Sequence, residues 1–103
     1  MIILCIRYTI DQNKVKDFEE YARRWPGPIK RAGGDLIGYF LPTKIAGSTN
    51  FALALIGFPN LDAYQKYRDA LAKDPEAKEN VARIEASGCL LNEDRAFVKR
   101  VED

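Results

Sequence analysis

The stretch Ile2–Ile10, IILCIRYTI, sets Ile2, Leu4, Ile6, Tyr8 and Ile10 at period two, which places them on one face of a β-strand. Ile3, Cys5, Arg7 and Thr9 fall on the other face. That second face is apolar at its start, so the strand must be covered on both sides. One layer of helices covers only one face of a sheet, and the chain must find a second cover elsewhere.

The residues that follow supply the helices. Val15, Phe18, Ala22, Trp25 and Ile29 recur at steps of three and four, the pattern of an amphipathic helix, and Asp11 or Asn13 can cap its start. Pro26 and Pro28 fall inside this stripe; each lacks a backbone N–H and crowds the preceding turn, so the helix is expected to kink or break there. Gly33 and Gly34 end it, because glycine accepts the left-handed conformation common just past a helix C-terminus. Residues 36–41 read as a second strand, KIAGSTN after Pro42 as a turn, and Phe51–Phe58 as a third strand, so that the two strands form a hairpin. Asn60 can cap a helix with Leu61, Tyr64, Tyr67 and Leu71 along one side. Asp74-Pro75-Glu76 opens another helix, which carries Val81 and Ile84 and stops at Gly88. Residues 90–101 are strand-like but heavily charged, as suits an edge strand.

The order predicts an α+β chain of ferredoxin-like βαββαβ type with an extra helix in the C-terminal half and a four-stranded antiparallel sheet. Helices then cover one face, and Ile3, Cys5 and one side of FALALIGF are left on the other. A second copy of the chain is the economical cover, so a homodimer with sheets packed face to face is expected. In the usual ferredoxin-like strand order Cys89 lies near Thr9 and well over 10 Å from Cys5, beyond the reach of an intrachain disulfide.

Length and charge narrow the partners. At 103 residues the chain fits a single domain, 1–103, around one core. A net charge of +1 is too small for the electrostatic footprint of nucleic-acid binding. No run approaches the roughly 18 apolar residues of a membrane span, and MIILCI meets Arg7 too soon for a signal peptide, so a cytoplasmic location without membrane contact is expected. There is no histidine, which removes Ser-His-Asp and Cys-His mechanisms, His-ligated zinc and the usual proximal ligand of haem. Phosphate-loop, dinucleotide and zinc fingerprints are absent as well, and no cofactor or metal is expected. GGDLIGYF at residues 33–40 is not a phosphate cradle, because its glycines follow a helix and open a strand; they sit near the negative end of the dipole, which disfavours anions.

Arg7-Tyr8, FEEYARRW at 18–25, RAGGDLIGYFLP at 31–42, ALALIGFPNLDAYQKYR at 52–68, Asp74-Pro75-Glu76 and Asp94-Arg95-Ala96-Phe97 together resemble the NIPSNAP family, in particular its small bacterial single-domain members. The resemblance covers almost the whole chain. It implies a ferredoxin-like fold, a dimeric α/β barrel and a family whose biochemical role is largely undefined. It hands over no active site. Where family members often place a histidine near the second strand and a serine before the phenylalanine of the last, Leu36 and Ile37 and then Ala96 stand here.

Five residues are candidates for binding a small organic ligand, anionic or aromatic: Arg7, Trp25, Tyr39, Arg68 and Arg95. Arg7, on a largely apolar strand, serves either an interface or edge salt bridge or as an anchor for a ligand carboxylate. Arg68 either pairs locally with Asp62, Asp69 or Asp74 or faces a ligand, and Arg95 in the charged last strand is either solvated or paired, or likewise functional. Trp25 and Tyr39 are either core residues with one hydrogen-bond partner each or the lining of a pocket between sheet and helices. Adjacent acids such as Glu19-Glu20 and Glu93-Asp94 do not face one another and make no acid–base pair. Two functions fit: a homodimeric ligand-binding or accessory domain, or a cofactor-independent enzyme of monooxygenase or isomerase type, for which the fold group is the analogy.

Overall fold

The computed structural model describes residues 1–101. In chain order it contains β1 (Ile2–Ile10), a single 3₁₀ turn (Gln12–Lys14), α1 (Val15–Arg23), α2 (Pro26–Arg31), β2 (Asp35–Phe40), β3 (Phe51–Phe58), α3 (Leu61–Lys73), α4 (Pro75–Ser87) and β4 (Leu90–Val98). The four strands form one sheet in the order β2-β3-β1-β4, with every neighbouring pair antiparallel. This is the ferredoxin-like arrangement, and the charged last strand is an edge.

Local chemistry explains most boundaries. The Asp11 carboxylate accepts from the Asn13 N–H at 2.9 Å and so caps the 3₁₀ turn that leads into α1. The apolar stripe is cut in two: α1 ends at Arg23 and Pro26 restarts the helix as the first residue of α2, where its missing N–H costs nothing. Gly33 follows α2 with φ +95°, and the next residue, Gly34, donates to the Ile29 carbonyl at 2.9 Å. Asn60 caps α3 through the Ala63 N–H, and Asp74 caps α4 through those of Glu76 and Ala77. Two ends differ from expectation: β2 begins at Asp35, and β4 stops at Val98, short of residue 101, where its pairing with β1 runs out at Ile3. Leu61 is a further difference. It stands at the first position of α3, 63% exposed, while Tyr67 carries that helix into the core.

The core lies between sheet and helices. Leu4, Ile6, Tyr8 and Ile10 of β1 are buried against Phe18, Ala22, Trp25 and Ile29 of the broken helix. On β3 the residues opposite Ile6 and Tyr8 are Ala54 and Ala52, small enough to leave room for the Tyr8 ring, which meets Phe18 edge-on at 4.9 Å. Among the described residues no helix or loop covers the other sheet face. Residues opposite one another in an antiparallel ladder share a face, so Phe40, Leu53 and Arg7 go together, as do Leu55 and Cys5, Phe51 and Thr9, and Val98 and Ile3. Phe40, Phe51 and Val98 are 44–47% exposed on it. Cys5 is half-buried on this side, Cys89 is fully buried on the other, and both are free thiols.

Candidate functional site

The edge of the sheet brings charge beneath the helices. Across from buried Ile6 and Tyr8 of β1 stand Arg95 and Glu93 of β4, so both side chains project on the helix side. They pair at 2.8 Å. Partial burial pulls the Arg95 guanidinium down, but Glu93 outweighs it and holds the group above its ordinary value.

Between this edge and the helices opens a cleft of about 480 Å³, walled by Tyr21 and Trp25 of the first helical layer, Arg68, Leu71 and Ala72 of α3, Val81 and Ile84 of α4, and Leu90, Glu93 and Arg95 of β4. Lys78 and Glu85 of α4 line it as well. A smaller chamber of about 50 Å³ adjoins it, lined by Tyr8, Tyr39, Tyr67 and Ile56 and sharing Tyr21, Trp25, Arg68, Leu71 and Arg95 with the cleft. A larger depression of about 610 Å³ lies elsewhere, around Gln12–Lys14, Pro42 and Lys44. It has no buried unpaired donor, and its Lys14 ammonium is engaged by the Ser87 carbonyl.

The aromatic walls are tightly joined. Tyr8 stacks on Tyr39 at 6.4 Å, and Trp25 meets Tyr21 edge-on at 5.6 Å. Trp25 is 7% exposed, and its buried indole N–H meets no acceptor at full hydrogen-bonding geometry among the described residues, although it lies close enough to the Tyr21 phenol to oppose part of the rise that burial imposes on that group. Burial raises the phenols of Tyr8, Tyr21 and Tyr39. It also pushes Tyr67 up to about 12, although Arg95 and Arg68 nearby oppose the rise. All four phenols therefore stay protonated at neutral pH and can donate but not act as bases.

Four of the five candidate residues, Trp25, Tyr39, Arg68 and Arg95, line these two joined spaces. Arg7 does not join them. Period two turns it to the opposite sheet face, exposed between Leu53 and Asp94. Arg68 lacks the local ion pair that was one reading of it: Asp62 pairs with Lys66, Asp74 with Arg31, and Asp69 accepts from Gln65, which leaves Arg68 without a carboxylate within 4 Å among the described residues.

Among the residues that sequence did not single out, Tyr21 and Glu93 line the cleft, with Lys78 and Glu85, while Asn80 stands outside it. Tyr21 is three residues after Phe18 and four before Trp25, so helical spacing alone could have found it. Glu93 carries no signal of its own until β4 is paired with β1. Buried Asn80 donates from Nδ2 to the Tyr21 carbonyl at 3.0 Å, binding α4 to the end of α1; nothing in its sequence neighbourhood marks it.

Comparison with known proteins agrees with the fold. The family model described as NIPSNAP matches residues 3–103. An uncharacterised NIPSNAP domain protein from Burkholderia xenovorans superposes with a TM-score of 0.82 at 20% identity, over 98% of this chain and 95% of that one. A NIPSNAP family protein of unknown function from Agrobacterium tumefaciens gives 0.83 at 19% identity, over 97% and 87%. A putative antibiotic biosynthesis monooxygenase from Nitrosomonas europaea shares the fold with a TM-score of 0.73 at 8% identity, over 99% and 100%. No protein with a curated description matches the chain.

Proposed function

Because the chain belongs to the NIPSNAP family, and the members that superpose on it are uncharacterised or of unknown function, we propose a function from its own cleft: it binds a small organic molecule between sheet and helices. One observation carries this reading. Aromatic side chains and two arginines from separate elements converge on a cleft of about 480 Å³, within the range of small-molecule sites and with the mixture of apolar wall and few polar groups typical of them. The phenols of the cleft and its inner chamber are held protonated and the chain has no histidine, so the site is equipped to hold a ligand rather than to take up its protons near neutral pH.

The working unit is a homodimer. Phe40, Phe51, Leu53, Leu55 and Val98 give one sheet face an apolar surface that no element among the described residues covers, and a second sheet is complementary to it. We place this dimer in the cytoplasm, in keeping with two free thiols on opposite sides of the sheet. Screening a small-molecule fragment set by protein-observed NMR tests the ligand reading. The expected result is a group of fragments that shift the resonances of Leu71, Val81 and Ile84. A screen whose hits all map outside the cleft refutes it.

A further inference from the structure

The cleft has a preferred chemistry for its occupant, and this inference rests on the binding function proposed above. The walls carry three cationic side chains, Arg68, Lys78 and Arg95, against two acidic ones, Glu85 and Glu93. Of the two acids, Glu93 is already taken by Arg95. Arg68 has no carboxylate partner among the described residues, and it lines both the cleft and the inner chamber. Trp25 lines both as well, with a buried indole N–H that makes at most a weak contact with the Tyr21 phenol and no hydrogen bond of full geometry. A donor so weakly engaged is left for an incoming oxygen to satisfy. Around these two groups the surface is aliphatic: Leu71, Val81 and Ile84.

The geometry points to an apolar monocarboxylate as the ligand class, its carboxylate held between Arg68 and the Trp25 N–H and its apolar body lying along Leu71, Val81 and Ile84. Guanidinium is the side chain best matched to a carboxylate, since its fork of donors binds both oxygens. Trp25 supplies a neutral donor, which fixes one oxygen without adding charge. A neutral ligand of the same shape gains the N–H contact but leaves Arg68 unused.

Trp25 is the chain's one tryptophan, so protein labelled with nitrogen-15 tryptophan gives a single indole N–H signal that reports on the proposed contact. Titration with phenylbutyrate is expected to move that signal downfield and to saturate. Its uncharged amide, phenylbutyramide, is expected to bind about tenfold or more weakly, the ratio expected from loss of a charge-assisted pair. Arg68→Gln, an exposed position whose change leaves the core intact, should abolish the preference for acid over amide. Equal affinity for acid and amide in the unaltered protein overturns the carboxylate assignment. A still indole signal while the Leu71, Val81 and Ile84 resonances shift overturns the Trp25 contact and leaves the broader binding function standing. If phenylbutyrate moves no resonance at all the ligand class is wrong, and the fragment screen then decides separately whether the cleft binds anything.

Discussion

Gly34→Ala offers a sharp test of how the second layer is packed. A Cβ added at Gly34 would lie 2.9 Å from Ile29 Cγ2, 3.0 Å from Tyr67 Cε1 and 3.1 Å from Ile56 Cγ2. Ordinary contacts between carbons lie near 3.5–4.0 Å, so the methyl intrudes on three walls at once, contributed by α2, α3 and β3. Overpacking of this kind costs about 1–3 kcal/mol, and each kcal/mol lowers the melting temperature of a domain near this size by about 4–8 °C. Gly33→Ala is the control, because nothing lies within 4 Å of its added Cβ. There the cost is conformational: φ is +95°, a region that disfavours L side chains by about 1–2 kcal/mol. Asparagine tolerates positive φ better than alanine does, so Gly33→Asn should recover part of the loss, whereas Gly34→Asn should be worse than Gly34→Ala. Urea unfolding followed by far-ultraviolet circular dichroism measures all four. Because the Tyr67 ring also walls the inner chamber, Gly34→Ala should in addition change the Trp25 emission, and Gly33→Ala should not. A Gly34→Ala protein as stable as the unaltered chain would show that these walls yield freely and would refute the packing argument.

Further outcomes follow from the site and the sheet. The buried tyrosines keep their protons to higher pH than phenols of the unfolded chain, which titrate near 10; with Tyr67 at about 12, stability is complete below about pH 10 and falls as pH rises toward about 12. Urea midpoints across that range, read beside tyrosinate absorbance, should show the two changes together; a flat midpoint contradicts the burial. Asn80→Ala removes the bond to the Tyr21 carbonyl, which keeps only a longer 3.3 Å contact from the Arg24 N–H, and should cost about 1 kcal/mol in urea unfolding. Leu55→Asp places a charge on the uncovered apolar face opposite Cys5 and should give a folded monomer of 11.7 kDa by sedimentation equilibrium, against a dimer for the unaltered chain. A monomer in both, or a dimer in both, would sink the proposed interface.

The fold was largely legible because its signals are local. Ile2–Ile10 announces a strand by alternation, Phe18 and Trp25 announce a helix by spacing, and Gly33 and Asp74 mark ends through backbone and capping chemistry that involve only a few neighbours. Errors fell where long-range contact overrides the local pattern. Leu61 matches the stripe of α3 but lies beyond the reach of the core, and the run from residue 90 to 101 keeps its strand character only as far as β1 can pair with it. The candidate site was legible in part. Trp25 and Tyr39 are large amphipathic residues on core-facing positions, which is visible in a pattern. The pairing of Arg95 with Glu93, the freedom of Arg68 and the role of Asn80 depend on which partners neighbouring elements bring.

What the sequence determined by itself is the type and order of the elements, and with them a strand that needs cover on both faces. These follow from periods of two and 3.6 residues, which every short segment carries within itself. The tertiary structure alone decided that Trp25, Arg68 and Arg95, drawn from the first helical layer, α3 and the last strand, share one cleft while Arg7 is excluded from it. The reason is geometric. Sheet register and helix docking set distances between residues tens of positions apart, and a one-residue change in the register of β4 would turn Arg95 to the face where Arg7 now lies.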